Sequence, residues 1–117
     1  MKITRVLVIG SSGVVGHGVS TDLIKKNYFV LGTSNKTNLF SKSKNFKNIS
    51  NVNLNSRYFL KKIQKLINDY RLQAIINCAA LLPYKASKDY KLKMNKVNNK
   101  SVMDLLNLSI KNDLFFF

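Results

Sequence analysis

Gly10, Gly13 and Gly16 stand three residues apart, directly behind the β-branched, mostly apolar run Ile3-Thr-Arg-Val-Leu-Val-Ile9 and ahead of a stretch with helical spacing. A loop between a buried strand and a helix gathers free backbone N–H groups and the positive end of a helix dipole at one point. Such a point suits a doubly charged pyrophosphate. The first glycine allows the tight turn out of the strand. The second leaves no side chain between backbone and phosphate, and the third lets the helix pack closely on the sheet. The loop Gly10-Ser11-Ser12-Gly13-Val14-Val15-Gly16 is therefore the first candidate site. Its place between a strand and a helix gives weight to a glycine pattern that is weak alone.

A second candidate follows from counting onward. Sites that prefer NAD carry Asp or Glu about 20 residues past the glycines, on the ribose hydroxyls. Here that place falls at Ser34, and no acid lies nearby. Ser34, Asn35 and Lys36 offer a hydroxyl, an amide and a positive charge, which suit a 2′-phosphate. NADP is the expected cofactor ahead of NAD, although Lys42, Lys44 and Lys47 make lysine common in this stretch. His17, just past the third glycine, reads as a polar surface residue. Cys78 reads as an inert small hydrophobe inside a buried strand. One cysteine and one histidine cannot supply the four ligands of a structural zinc site, so no metal is expected.

The elements that must position these residues alternate along the chain. A strand over residues 3–9 leads through the glycine loop to a helix ending near Lys26, with Val15, Val19 and Leu23 as its inner stripe and Asn27 as its stop. Tyr28 to Thr33 forms a second strand. Residues 34–50, rich in Ser, Asn and Lys, read as a mobile basic loop, with a third strand near Ile49 to Leu54. Ser56 is placed to cap a helix whose Leu60, Ile63, Ile67 and Tyr70 share a face. Ala74 to Ala79 is a fourth strand, broken by Pro83. Residues 89–112 form a long helix with Met94, Val97, Leu105 and Leu108 among its apolar positions, and Leu114 to Phe117 begins a fifth strand. Alternating strands and helices predict a parallel sheet covered on both faces.

At this point the sequence resembles the extended short-chain dehydrogenase/reductases, which include nucleotide-sugar epimerases, dehydratases and reductases. Val6-Leu-Val-Ile-Gly-Ser-Ser-Gly-Val-Val-Gly16 is similar to the family's first turn, with Ile9 where Thr is usual. Asn53-Leu54 falls where the family has Asp-Leu or Asp-Ile. Asn77-Cys78-Ala79-Ala80 resembles the family's Asn/His-x-Ala-Ala strand end, and Val97-Asn98 with Leu105-Leu106 its Val-Asn…Leu-Leu helix. The resemblance implies that Gly13, Val14 and Val15 line the pyrophosphate and that Asn53 and Leu54 frame the adenine. It implies that Ala79 and Ala80 pass behind ribose and pyrophosphate, and that Asn98 holds that backbone in place. Asn53 replaces the usual Asp, and its amide oxygen could still accept from the adenine amino group. The implied fold is a Rossmann-type, doubly wound, three-layer α/β/α sandwich with strand order 3-2-1-4-5, one domain over residues 1–117, truncated at its fifth strand. The implied function is the NAD(P)-binding part of such an enzyme, its parent acting on a nucleotide sugar. A non-catalytic dinucleotide-binding or interaction module is the alternative.

The family's Tyr-x-x-x-Lys pair lies beyond its fifth strand. Tyr84-Lys85 has the wrong spacing, and Tyr90 meets Met94 where Lys is needed. No catalytic residue is assigned, and the chain is not expected to be active alone. It reads as a fragment or truncated reading frame that stops in mid-strand. The formal charge of +15 raises a nucleic-acid reading, but the basic residues are mostly lysine, arginine occurs only at positions 5, 57 and 71, and aromatic-basic interleaving is missing. A specific nucleic-acid partner is not expected. No apolar run reaches the roughly 20 residues of a membrane span, and the N-terminus lacks a signal-peptide cleavage site, so a cytoplasmic location is expected. The nicotinamide dinucleotide is the expected partner, with self-association open.

Overall fold

The computed structural model describes residues 2–35, 40, 43–79, 92 and 95–117. Five strands, β1 (Arg5–Ile9), β2 (Phe29–Thr33), β3 (Phe46–Ile49), β4 (Ala74–Asn77) and β5 (Phe115–Phe116), form one sheet in the order β3-β2-β1-β4-β5. Every pairing is parallel, with Leu7 beside Leu31 on one flank and Ile75 on the other. The helices are α1 (Val14–Lys25), α2 (Phe59–Tyr70) and α3 (Ser101–Lys111), the last preceded by a π-helical turn, Lys96–Lys100. The fold is the Rossmann-like sheet with flanking helices that the alternating pattern predicts.

The central strands are apolar at successive positions because both faces are covered. Leu7, Ile9, Leu31 and Ile75 point to one side, where they pack with Phe59, Ile63, Leu66 and Ile67 of α2 and Leu105 of α3. Val6, Val8, Val30 and Ala74 point to the other, against Val19, Leu23 and Ile24 of α1. Gln73 ties the start of β1 to the start of β4. Its Oε1 accepts from the Thr4 and Arg5 backbone N–H groups at 2.8 and 3.1 Å, and its Nε2 donates to the Lys2 carbonyl at 3.1 Å.

Among the described residues, α1, α2 and α3 end alike. Asn27, Arg71 and Asp113 each take a left-handed φ (64°, 51° and 55°). The next residue donates back to a carbonyl five positions earlier: Tyr28 to Leu23 at 3.0 Å, Leu72 to Ile67 at 3.2 Å, Leu114 to Ser109 at 2.8 Å. This closure satisfies helix-end carbonyls and turns the chain toward the following strand. Asn27 therefore stops α1 as its residue type predicts.

Four local expectations differ from the structure. The third strand is Phe46–Ile49, inside the stretch read as a basic loop, because the Phe46 ring packs against Gly32 of β2. After it, Asn51 takes a φ of 63°, which ends the extended run before Asn53-Leu54. The inner stripe of α1 is not Val15, Val19, Leu23; Val15 is 66% exposed, while Gly16 and Ser20 are buried beside half-buried Val19 and Leu23. Close approach of the helix start to β1 turns the stripe by one residue. Ser56 does not cap α2, whose N-cap is Tyr58 without a side-chain bond; Ser56 Oγ instead accepts the Tyr58 N–H at 3.1 Å in the preceding turn. Strand β4 ends at Asn77, so Cys78 lies beyond the strand and is half-buried. Within the long C-terminal helix, residues 89–91 and Met94 lie outside the described residues, and Val97 and Leu105 are buried.

Two substitutions test this packing by urea unfolding. Leu105→Ala empties a fully buried site against α2 and should cost about 2–5 kcal/mol; a loss below about 1 kcal/mol would contradict the packing of α3 on the core. Gly18 lies on the exposed side of α1, where an added Cβ meets nothing within 4 Å. Gly18→Ala should therefore add about 0.5–1 kcal/mol through helix propensity, and a destabilised variant would contradict the orientation of α1.

Candidate functional site

The turn from β1 into α1 is held by β2. Gly10 N–H donates to Thr33 Oγ1 at 3.2 Å, and Ser11 donates to the Thr33 carbonyl from its N–H at 3.2 Å and its Oγ at 3.3 Å. Gly10 has a φ of +78°, and a Cβ there would stand 3.0 Å from the Ala79 backbone. A Cβ at Gly16 would stand 2.0 Å from the Gly10 carbonyl oxygen, so only glycine lets α1 start this close to the strand. Gly13 is different. It is exposed, and a Cβ there would meet only the Gly10 oxygen at 3.6 Å, an ordinary contact. The protein's own packing does not require glycine at position 13.

Gly13 is the N-cap of α1, in extended conformation, with no side-chain capping bond and no acid in the first turn. The first intrahelical bond runs from His17 N–H to the Gly13 carbonyl at 2.8 Å. The N–H groups of Val14, Val15 and Gly16 consequently have no acceptor within the helix. With the helix dipole behind them they form a local anion-attracting end. Val14 and Val15 are 94% and 66% exposed beside it.

A cleft of about 650 Å³ opens where the strand order reverses between β1 and β4, beyond the strands' C-terminal ends. It is lined by Gly10 and Gly13, by Asn35, by the loop after β3 from Asn51 to Asn55, by Cys78 and Ala79, and by Val97. Among the described residues no carboxylate lines it, so the cleft offers amides, backbone and apolar surface. Burial pushes the Cys78 thiol above its ordinary value, so the neutral thiol dominates at neutral pH.

The cleft thus brings together Gly10, Gly13, Asn35, Asn53, Leu54 and Ala79 from the sequence prediction. Ser12, Val14, Val15 and Gly16 stand in the adjoining turn and first helical turn. Ser34 sits at the end of β2, where its N–H donates to the Ile49 carbonyl at 3.2 Å and its carbonyl accepts from Asn48 Nδ2 at 3.1 Å. Asn98 lies half-buried in the π-helical turn, next to the lining Val97. Such a turn widens the helix and re-aims its side chains. Lys36 and Ala80 lie outside the described residues. His17 is exposed, and its ring stacks on Phe40 with centroids 4.8 Å apart.

Asn53 departs from its expected geometry. Its Oδ1, expected to face a base amino group, accepts the Asn55 N–H at 2.9 Å. Sequence reasoning placed Ser11 in the glycine loop without its bonds to Thr33, and it missed Thr33 itself, which anchors the turn, and Asn51, Val52, Asn55 and Val97, which line the cleft. The signal for the loop was the alternation of Asn51, Asn53 and Asn55; Thr33 was marked only as the polar end of an apolar strand.

Comparison with known proteins agrees with this architecture. The Bordetella bronchiseptica enzyme WbmH, solved with NAD+, superposes with a TM-score of 0.72 at 18% identity, over 97% of this chain and 37% of that one. UDP-glucose 4-epimerase from Thermotoga maritima, solved with UDP-glucose, gives 0.73 at 20% identity over 94% and 35%. ElxO with NADP bound gives 0.78 at 19% identity over 95% and 50%. These likenesses show the fold, and the chain spans half or less of the length of each. No curated protein sequence matches it. The family model for NAD dependent epimerases and dehydratases matches residues 6–117, from the middle of β1 through β5. With its glycine turn and cleft at the β1–β4 reversal, the chain belongs to the NAD dependent epimerase/dehydratase family.

Proposed function

We propose that this chain binds a nicotinamide dinucleotide, NADP in preference to NAD, as the cofactor-holding part of a cytoplasmic extended short-chain dehydrogenase/reductase that acts on a nucleotide sugar. One observation carries the reading. Gly13 stands at an uncapped helix start where the protein itself has room for a side chain. At an uncapped helix start that lines the cleft, such a glycine leaves room for a ligand to lie against its backbone.

The residues fit that ligand. The N–H groups of Val14, Val15 and Gly16 donate to the pyrophosphate, replacing the water and the capping side chain that such donors otherwise take. Gly10 and Ala79 form the floor, and an acid there would repel the phosphates. Val52 and Leu54 give apolar surface for the base. Ser34, Asn35 and Lys36 supply a hydroxyl, an amide and a charge toward a 2′-phosphate. A bound nicotinamide ring supplies hydride transfer to or from carbon; this chain's part is to bind, orient and shield. WbmH and ElxO, solved with NAD+ and NADP, and the epimerase solved with UDP-glucose support the two halves of the proposal by analogy of fold.

Gly13→Asp separates fold from function. Asp is among the best N-cap residues and complements the dipole, so the unfolding free energy should hold or rise by about 0.5–1 kcal/mol. Its side chain and charge occupy the phosphate position, so the affinity for NADP, read by isothermal titration, should fall at least about tenfold, or 1.4 kcal/mol. Undiminished binding by a folded variant would remove the pyrophosphate from this turn. Direct titration of the unmodified chain should also give a several-fold lower Kd for NADP than for NAD, narrowing as salt screens the lysine charge. Equal dissociation constants at low salt would overturn the assignment to Ser34, Asn35 and Lys36.

A further inference from the structure

A second cavity lies beside the cleft, and the side chains around it carry an unbalanced positive charge. It holds about 300 Å³ and opens between the start of α2 and the π-helical turn before α3. Leu54 lines both cavities, and with Phe59 and Leu60 it makes the apolar part of this one. Arg57 contributes from the α2 side, Lys96 and Lys100 from the π-helical turn. One carboxylate, Asp104, also lines the cavity, and it pairs with Lys100 at 2.7 Å. The other two cations have only neutral partners among the described residues. Lys96 Nζ donates to the Asn55 carbonyl at 2.6 Å. Arg57 Nη2 donates to the Tyr58 hydroxyl at 2.6 Å, with its guanidinium 4.8 Å from the Tyr58 ring centroid. Ser56 Oγ accepts the Tyr58 N–H at 3.1 Å, and its own O–H has no acceptor among the described residues.

We infer that this cavity binds a small phosphate monoester, at a site separate from the dinucleotide cleft. The charge balance fits a dianion, since Asp104 neutralises Lys100 and leaves Arg57 and Lys96 uncompensated. A guanidinium fork, an ammonium and a hydroxyl are donors that phosphate oxygens accept from. Stacking on Tyr58 holds the Arg57 fork in place, so less side-chain freedom is lost on binding. Leu54, Phe59 and Leu60 give the ester's carbon skeleton an apolar surface. The volume lies at the small end of ligand pockets, which suits a compact ester. The inference does not require a dinucleotide in the neighbouring cleft.

The test is a titration of the full chain with inorganic phosphate and with phenyl phosphate, followed by backbone amide chemical shifts at constant ionic strength. Saturable shifts at residues 56–60 and 96–101 are expected. Phenyl phosphate should bind several-fold more tightly than phosphate, because its ring covers apolar surface. Arg57→Gln with Lys96→Gln should weaken phenyl phosphate at least about tenfold. Both residues are exposed, so the variant keeps its fold, which its own amide spectrum checks. Lys25→Gln with Lys26→Gln removes the same charge from the exposed end of α1 and should leave the affinity within about twofold. Equal weakening by the two pairs would reduce the binding to general charge attraction and overturn the site. Shifts confined to residues 10–16 would overturn it too, while leaving the glycine turn as an anion site. Loss of the shifts at 10–16 alone would count against the dinucleotide reading and leave this inference standing.

Discussion

The approach of α1 to β1 is governed by the space between the Gly10 carbonyl oxygen and the backbone of Gly16, where a Cβ would stand 2.0 Å from that oxygen. Much of the site follows from this contact. It lets the helix begin immediately over the end of the strand, so its uncapped N–H groups lie beside the point where the sheet splits. It rotates the helix so that Gly16 and Ser20 face inward and Val15 faces out. Thr33 completes the arrangement, since one residue at the end of β2 receives the Gly10 N–H on its hydroxyl and both Ser11 donors on its carbonyl. The turn is thus braced by a neighbouring strand as well as by its own glycines.

The rest of the scaffold supplies rigidity to that turn. β1 is buried on both faces, with α2 and α3 under one and α1 over the other. Each buried aliphatic side chain contributes about 1.5–3 kcal/mol on removal from water, and Leu7, Ile9, Val6 and Val8 together hold β1 at the centre. Left-handed residues at Asn27, Arg71 and Asp113 end the helices without long linkers. Residues outside glycine carry a cost in that conformation, offset here by the backbone bonds that close each helix.

How much of this could be read from residues alone depended on whether the signal was local. The Gly10-Gly13-Gly16 spacing, the continuous apolar strands and the amphipathic face of α2 each state their structure within a few residues, and the parallel order follows from their alternation. Phe46 was misread because the feature that makes it a strand residue is a glycine fourteen positions earlier in β2, whose missing side chain leaves room for its ring. Asn53 was found but its orientation was not, since the direction of an amide depends on which neighbour's N–H it meets. Thr33 was overlooked because its importance lies in three donors from another element. The site was legible as a list of residue types at a position in the fold, while its polarity was written in hydrogen bonds that spacing does not reveal.

The clamp around Gln73 bears on the order in which the molecule assembles. The Gly10–Thr33 link joins residues 23 apart, whereas Gln73 grips Arg5 across 68. Closing the longer span costs roughly 1 kcal/mol more chain entropy, by the logarithmic dependence on loop length, and contacts distant in sequence slow a fold's formation. The β1–α1–β2 unit can therefore form early from local encounters, with its glycine turn already shaped. The wall carrying Ala79 arrives only when β4 docks beside β1 and Gln73 engages. A ligand spanning that seam would meet a complete cleft only once β4 has docked beside β1, and its binding would hold together a junction whose two sides lie far apart in the sequence.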